Sequence, residues 1–461
     1  MLFSNLKFIY FFIPVLILFY LLNKTGREWI KNTFLLSASY LFYGLFDAKY
    51  LFVLVYITIV NYAVMWWVSV QKRKYVLAFG IVLALLPLAF FKYTYFLLND
   101  VLGIKGHVLG EIALPVGISF FTFQALSYTI DFYRGKETEL PSFLNFSLYT
   151  AFFPTMLSGP IERARTLMPQ IKRLQCWNFF LVLNGLQLFV WGLFQKIVVA
   201  DRIAEYTGNV YAHPETYGTT TILLTMFLYS IQIYCDFAGY SNMAIGVGRM
   251  LGFNICKNFD FPYFSTSIRS FWKKWHISLT SWLTEYVYFS LGGNRVKEWR
   301  WILNILIVFL VSGIWHGAAW TFIVWGLIHG VYQIIEHYVL GKKEFNNVLT
   351  KTLAGLFLFC IVSISFVFFR ANSLEKAVLV LSSLGNFGMP LFTFFATQFF
   401  LLLFTLSIWF VCELMMYKCI LRITEANDNP FTWMNLAFMS LFILMVSLLG
   451  MSGTSFVYFQ F

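Results

Sequence analysis

The chain has 461 residues, of which 59% are hydrophobic and only 12% are charged, and its mean hydropathy is +0.72. A soluble domain carries about 25% charged residues, so this composition excludes a soluble globular protein and is typical of a chain that crosses a membrane many times. The net charge of +12 comes from short basic segments between apolar ones, a pattern that reports orientation in a membrane and predicts no nucleic-acid partner.

Apolar runs of about 20 residues, the length of a bilayer crossing, recur along the whole chain. The first, Phe8 to Leu22, lacks a small-residue cleavage site and is interpreted as a retained span. The pattern predicts an all-α polytopic membrane protein with about 11 to 12 transmembrane helices, in which residues 1–461 form a single integral-membrane domain. The candidate spans are 7–22, 33–46, 51–70, 75–97, 111–131, 178–200, 219–237, 299–315, 318–340, 350–369, 397–417 and 433–450.

The basic loops give an orientation. Placing loops 23–32 and 71–74 in the cytoplasm, as the positive-inside rule requires, puts the N-terminus outside. The segment 143–157 must then dip into the membrane without crossing it. The same assignment places nearly every other basic loop inside, with the charges Arg163, Arg165, Lys172, Arg173, Lys273, Lys274, Arg295, Arg300, Lys342, Lys343, Lys418 and Arg422.

Residues 238–298 are the longest departure from this pattern, because an aromatic and glycine-rich stretch also carries several charges. Irregular backbone at membrane depth is tolerated only where it is buried in protein or lines a cavity, so we expect short, partly inserted helices that build the wall of a site. Apolar residues at 3-and-4 spacing predict one helix over 268–286, with His276 on its apolar face. For this helix alone, a functional and a structural histidine are equally open.

His316 lies where span 299–315 ends and span 318–340 begins, in the sequence SGIWHGAA. Gly313 and Gly317 form a small-xxx-small pair, which lets another helix approach the backbone closely. The turn carries no charge, so the hairpin is expected to be buried well below the outer surface. A histidine there is costly unless it is used or tightly paired, and this favours a functional role.

The other polar candidates are weaker. His329 is expected to lie about 20 Å further along the same helix and to point away, which favours a structural role, and no chemistry is assigned to His337, His107 or His213. Asp236 could orient a histidine, bind a substrate or pair with a lysine. The six cysteines are scattered and no metal-binding motif occurs, so neither a disulfide framework nor a metal site is predicted.

Two inward histidines without a nucleophile or a metal suit acyl transfer from a thioester to a hydroxyl group. The thioester is already activated, so the protein needs mainly a base that deprotonates the hydroxyl and a donor that stabilises the tetrahedral oxyanion. Burial would keep water from hydrolysing the thioester. The basic residues Arg269, Lys273 and Lys274 could hold the phosphates of coenzyme A, although the positive-inside rule also explains them.

Six segments have distinctive sequence motifs, and most of them fall within residues 110–335. They are VGISFFTFQALSYTIDFYRG from Val116, SGPIERAR from Ser158, YCDFAGYSNMAIG from Tyr234, FWKKWHISLTSWLTEYVYFSLGGNR from Phe271, GIWHGAAWTFIVWGLIHG from Gly313 and FFRANS from Phe368. In this order they closely resemble the membrane-bound O-acyltransferase (MBOAT) superfamily, and within it the bacterial branch of alginate O-acetylation membrane proteins. One departure is Glu285, where the family pattern has an aspartate.

The resemblance implies a ring-like bundle of membrane helices around a central tunnel that joins the two sides of the membrane. It maps the family's invariant histidine onto His316, as the principal catalytic base, and the second conserved polar position onto His276. Candidate substrate-binding or supporting residues are Asp236, Trp275, Trp315, Asn242 and Glu285.

The resemblance also implies a reaction. Acetyl-CoA would donate acetyl on the cytoplasmic side of the bacterial inner membrane, with no permanently bound cofactor, and an extracytoplasmic partner acetyltransferase would modify a polysaccharide such as alginate. Transfer to peptidoglycan, cellulose or teichoic acid stays open, although SGPIERAR is unlike the D-alanyl branch that acts on teichoic acids. A transporter or flippase would predict inverted repeats and paired broken helices, which the sequence does not show.

Overall fold

Every regular element that the structure describes is helical. The computed structural model describes residues 2–104, 112–341, 347–387, 396–451 and 456. Within these ranges it contains α-, 3-10- and π-helices and no β-strand, which confirms the all-α prediction. His107, Lys342 and Lys343 lie outside the described residues.

The helices follow one another with short connections. The first ten are α1 (Leu6–Asn23), α2 (Glu28–Asp47), α3 (Leu51–Val70), α4 (Lys74–Leu88), α5 (Ile118–Arg134), α6 (Phe143–Ala151), α7 (Phe153–Met156), α8 (Ala164–Lys172), α9 (Phe179–Leu193) and α10 (Asp201–Ala212). The others are α11 (Thr219–Met250), α12 (Ile268–Lys274), α13 (Ile277–Leu283), α14 (Glu298–His316), α15 (Trp320–Val339), α16 (Val348–Arg370), α17 (Leu374–Ser382), α18 (Ala396–Tyr417) and α19 (Trp433–Leu449). Four π-helical segments are Ala89–Tyr93, Phe96–Val101, Phe194–Ala200 and Thr284–Tyr288.

Eight helical stretches in the described part of the chain are long and apolar enough to cross a membrane. They are Leu6–Asn23, Glu28–Val70, Lys74–Tyr93, Phe179–Ala212, Thr219–Met250, Glu298–His316, Val348–Arg370 and Gln398–Tyr417. Glu28–Val70 contains two of the predicted spans, 33–46 and 51–70. The predicted spans 111–131, 318–340 and 433–450 overlap α5, α15 and α19, which are not among these eight stretches. Every predicted span thus overlaps a helix, and the chain is a multi-pass membrane protein with fewer qualifying stretches in its described part than the 11 to 12 predicted.

The region 238–298 contains the predicted short helices but differs in two respects. Helix α11 does not end near residue 237 and continues without a break to Met250, so that Asp236 lies inside it. The single helix predicted over 268–286 is wrong. The chain instead forms α12 and α13, with Trp275 in an extended conformation and His276 in the left-handed region at φ 45°.

Long-range backbone bonds explain this break. The Asp260 N–H donates to the Lys274 carbonyl at 3.0 Å, and the Ile277 N–H donates to the Asn258 carbonyl at 2.8 Å. These bonds pair the backbone on either side of His276 with the 258–260 loop in place of helical partners. Apolar periodicity alone cannot reveal them.

The described residues form two compact units. The first comprises Met1–Trp191, Tyr240–Cys256 and Ile423–Met439, and the second comprises Gly192–Gly239, Lys257–Arg422 and Ser440–Phe461. In the first unit, the buried Lys31 ammonium of α2 donates to the carbonyls of Ile171 and Arg173 at 2.7 and 2.6 Å, at the C-terminal end of α8. This cation therefore satisfies carbonyls that the end of the helix leaves without a helical partner.

The second unit contains the hairpin of α14 and α15, which turns at Gly317–Ala319. A Cβ atom on Gly313 would lie 2.3 Å from the Phe322 carbonyl oxygen, and one on Gly326 would lie 2.3 Å from the Phe309 carbonyl oxygen. Only glycine permits so close an approach of the two helices, which confirms the predicted role for Gly313. Gly317 instead lies in the turn, where a Cβ atom would meet the Phe322 ring. The turn places His316 at the end of one helix and His329 on the other.

Candidate active site

His276 occupies the break between α12 and α13 and is 1% exposed. Its ring packs edge-on against Phe237 of α11, with the ring centroids 4.6 Å apart. A left-handed conformation is costly for a residue with a Cβ atom, and such strain is characteristic of functional sites. The loop bonds around the break hold this conformation, and with it the direction of the imidazole.

His316 is the last residue of α14 and is 3% exposed. Three aromatic rings surround its imidazole, at centroid distances of 4.9 Å for Trp315, 5.0 Å for Trp325 and 5.3 Å for Phe369. The ring therefore lies in an aromatic environment inside the protein, as the uncharged turn predicts.

The structure brings the two predicted histidines together. Their ring centroids are 6.2 Å apart, and Trp315 lies near both, 5.7 Å from His276 and 4.9 Å from His316. Trp275 is buried beside this pair, stacked on Phe271 at 5.3 Å. The two imidazoles are therefore neighbours in the second unit.

Burial lowers the pKa of His276, which lies outside the eight candidate membrane-spanning stretches, to about 3. The ring is therefore neutral at pH 7, and one of its nitrogens carries a lone pair that can accept a proton or a hydrogen bond.

Asp236 forms a buried ion pair. Its carboxylate lies 2.6 Å from the Lys196 ammonium, which is also 2.8 Å from Asp201. All three side chains are at least nine-tenths buried. Of the three roles left open for Asp236, pairing with a lysine is observed. The next residue, Phe237, touches His276, so this ion pair anchors the part of α11 that supports the histidine.

A cavity of about 700 Å³ lies in the second unit, and neither His276 nor His316 is among the residues that line it. Arg269, Lys273 and His337 line it, and so does Ser312, which precedes His316 by one helical turn on α14. Lys274 is not among the lining residues, and its ammonium lies 5.9 Å from the Tyr417 ring. Two of the three predicted donor-binding cations therefore meet in a cavity that reaches within one turn of His316.

Glu336 of α15 positions the short helix that supplies these cations. Its carboxylate accepts hydrogen bonds from the backbone N–H groups of Ile268 and Arg269, the latter at 3.2 Å. A carboxylate at this end of a helix satisfies free N–H groups and complements the helix dipole. No local sequence pattern predicts this contact, because the partners are about 70 residues apart.

Two predicted supporting residues are not shown to contact the histidines. Glu285 is half-buried in the π-helical segment Thr284–Tyr288, whose two end residues line the cavity. Asn242 is half-buried on α11 and belongs to the first unit. Both roles stay predictions.

His329 does not lie far along the same helix as His316, so that expectation is wrong. The turn at Gly317 brings α15 back along α14, and Trp325 lies 5.0 Å from His316 and 5.1 Å from His329. His329 Nε2 is 2.9 Å from the Ser365 hydroxyl. No group of three or more histidine, cysteine or acidic side chains that could hold a metal ion occurs in the ranges that the structure describes.

The chain is a multi-pass helical membrane protein that buries two neighbouring histidines in its second unit. The chain belongs to the membrane-bound O-acyltransferase (MBOAT) family, whose model matches residues 35–370. It is therefore a membrane O-acyltransferase, an enzyme that transfers an acyl group from a donor substrate.

Three similar proteins have names that specify a reaction. "Probable alginate O-acetylase AlgI" of Azotobacter vinelandii is 35% identical over 84% of this chain and 79% of its own length. The protein of the same name from Pseudomonas aeruginosa is 36% identical over 84% of this chain and 75% of its own. "Peptidoglycan O-acetyltransferase" of Helicobacter pylori is 35% identical over 83% and 80%. The chain is thus similar to acetyltransferases that are named for two different polysaccharides.

Proposed function

We propose that the protein moves acetyl from a cytoplasmic thioester donor, acetyl-CoA, toward an extracytoplasmic polysaccharide. The observation that carries this proposal is the pair of buried imidazoles, 6.2 Å apart, in the same unit as a cavity lined by Arg269 and Lys273. Acyl transfer from a thioester needs a base, a dry site and a place for an anionic donor. These residues supply all three.

His316 acts as the principal base in this scheme. It takes the proton of the acceptor hydroxyl while the hydroxyl oxygen adds to the thioester carbonyl carbon. When the tetrahedral intermediate collapses, the carbon–sulfur bond breaks and the same proton passes from the imidazolium to the leaving thiolate. His276, neutral at pH 7, accepts a hydrogen bond from the acceptor and holds it in line for attack.

The cavity takes the donor. Guanidinium and ammonium groups bind phosphate oxygens through charge-assisted hydrogen bonds, and both Arg269 and Lys273 are exposed at the cavity. The apolar wall of Leu279, Leu283 and Phe309 suits the rest of the carrier arm. The positive-inside rule puts this end of the cavity in the cytoplasm, where acetyl-CoA is available, and puts the N-terminus outside.

The acetyl acceptor is on the extracytoplasmic side of the bacterial inner membrane. An extracytoplasmic partner acetyltransferase takes the acetyl group and places it on the polysaccharide. An exopolysaccharide such as alginate is our first candidate, because relatives named for it match most of the chain. Peptidoglycan is the second, since a relative named for that reaction is similar over the same share.

The test compares His316→Ala with His213→Ala, a histidine whose side chain is 72% exposed. Membranes containing each variant receive acetyl-CoA labelled in the acetyl group on the cytoplasmic face, and label in the cell-envelope polysaccharide is counted per protein molecule. We expect His316→Ala to lose roughly 10²- to 10⁴-fold of the rate at normal protein level, and His213→Ala to match the wild type. Full labelling by His316→Ala would refute the proposal.

A further inference from the structure

Two tryptophans lie between the cavity and His316. Trp272 of α12 lines the cavity, and its ring centroid is 5.8 Å from that of Trp325 on α15. Trp325 in turn lies 5.0 Å from the His316 imidazole, at right angles to it. The two indoles therefore form a series of ring contacts from the cavity wall to His316.

Both indole N–H groups are buried without an acceptor. Trp272 is 7% exposed and Trp325 is 1% exposed, and neither indole nitrogen has a hydrogen-bond partner within the described ranges. A buried N–H group without a partner is destabilising, and native proteins keep few of them. Two such donors lie on neighbouring indoles, next to a candidate catalytic base. This indicates that an acceptor atom of a bound ligand accepts their hydrogen bonds.

The neighbouring His329 cannot serve as that acceptor through Nε2. The Ser365 hydroxyl donates its one proton to the Val362 carbonyl at 2.7 Å, so it accepts a hydrogen bond from His329 Nε2 at 2.9 Å. This contact fixes the His329 ring between the indoles, 5.0 Å from Trp272 and 5.1 Å from Trp325. His329 Nδ1 is then the acceptor nitrogen of the ring, and neither it nor either indole N–H has a hydrogen-bond partner within the described ranges.

We propose that the indole N–H of Trp325, assisted by that of Trp272, stabilises the oxyanion formed at the acyl carbonyl during transfer. This inference rests on the proposed function and adds the donor that the histidine pair lacks. When the hydroxyl oxygen bonds to the carbonyl carbon, the carbonyl π electrons move to its oxygen, and the indoles hold the resulting negative charge. When the carbon–sulfur bond breaks, the charge leaves with the thiolate, which takes the proton from His316.

A rival ligand group is an amide of the donor's carrier arm, which also offers a carbonyl oxygen. The two assignments differ in kinetics. A donor to the oxyanion acts only in the transition state, so its loss lowers the maximal rate and leaves KM unchanged. A donor to a carrier amide contributes equally to ground state and transition state, so its loss raises KM and leaves the maximal rate unchanged.

Trp325→Phe is the first test, measured in membranes with labelled acetyl-CoA as for His316→Ala. We expect the maximal rate per protein molecule to fall about 10²-fold, as for the loss of one oxyanion donor, with KM unchanged. Trp272→Phe should show the same signature with a smaller loss. Trp191→Phe is the matched control, because Trp191 is also 1% exposed but lies in the first unit, and it should keep the wild-type rate.

A second variant covers the case in which Trp325→Phe does not fold. Replacement of Trp325 by 3-benzothienylalanine keeps the shape of the bicyclic ring and exchanges the N–H for sulfur, so it removes the donor alone. A wild-type maximal rate in this variant, or a change in KM only, would overturn the assignment. His316→Ala is run in parallel, since full activity there would instead refute the proposed function.

Discussion

Two buried side chains of the first unit and two buried indoles of the second unit differ in whether they have hydrogen-bond partners. In the first unit, the Lys31 ammonium donates to two carbonyls, and the Asn61 amide both donates to the Ile57 carbonyl and accepts from Thr129. In the second unit, the indole nitrogens of Trp272 and Trp325 have no partner among the described residues. Paired polar groups in a membrane protein hold helices together, whereas donors left open beside a base indicate a site for substrate.

The second unit also contains buried polar groups that have partners, namely the ion triad of Lys196, Asp201 and Asp236. Lys196→Met should leave two buried carboxylates without their cation and destabilise the protein by about 3–5 kcal/mol, seen as a lower melting temperature in detergent. The triple variant Lys196→Met, Asp201→Asn, Asp236→Asn removes every charge and should recover much of that loss. If Lys196→Met has the wild-type melting temperature, the ion triad does not stabilise the fold. The distinction between paired polar groups that hold helices together and open donors that mark a substrate site then fails for the triad.

The left-handed backbone at His276 allows a test of the candidate site itself, which complements the test of the paired groups. His276→Gly and His276→Ala both remove the imidazole, and both should lower the acetyl-transfer rate by about 10²-fold. Glycine adopts the left-handed conformation without strain, so His276→Gly should be more stable than His276→Ala by about 1 kcal/mol. Thermal unfolding of both variants checks this difference. Equal stability would mean that the backbone there is not held in the left-handed region.

Much of the fold could be predicted from the sequence. Each predicted span overlaps a helix, and His316 is buried as expected, because hydropathy and the cost of buried polar groups act locally. The proximity of His276 and His316 agrees with their assignment to one site. These features depend on residue type and spacing.

What the sequence did not reveal depends on contacts between distant segments. The break at His276 results from backbone bonds to residues 258–260, which periodicity does not encode. Asp236 can be buried inside α11 because Lys196, 40 residues earlier, pairs with its charge. The lysine within the apolar run 178–200 was the sequence signal that could have predicted this ion pair. No sequence signal predicts the unpartnered indoles of Trp272 and Trp325, since tryptophan in such a chain usually packs against other residues or anchors at the membrane interface.

The most direct measurement is a cryo-EM map of the protein in nanodiscs with acetonyl-CoA, in which a methylene group separates the sulfur from the carbonyl carbon and prevents transfer. The account predicts that the carrier arm runs through the cavity past Ser312, with phosphates at Arg269 and Lys273. It also predicts the carbonyl oxygen about 3 Å from the Trp325 indole nitrogen, beside His316. A map with the analogue bound elsewhere, or with His316 sealed from both sides of the membrane, would contradict it.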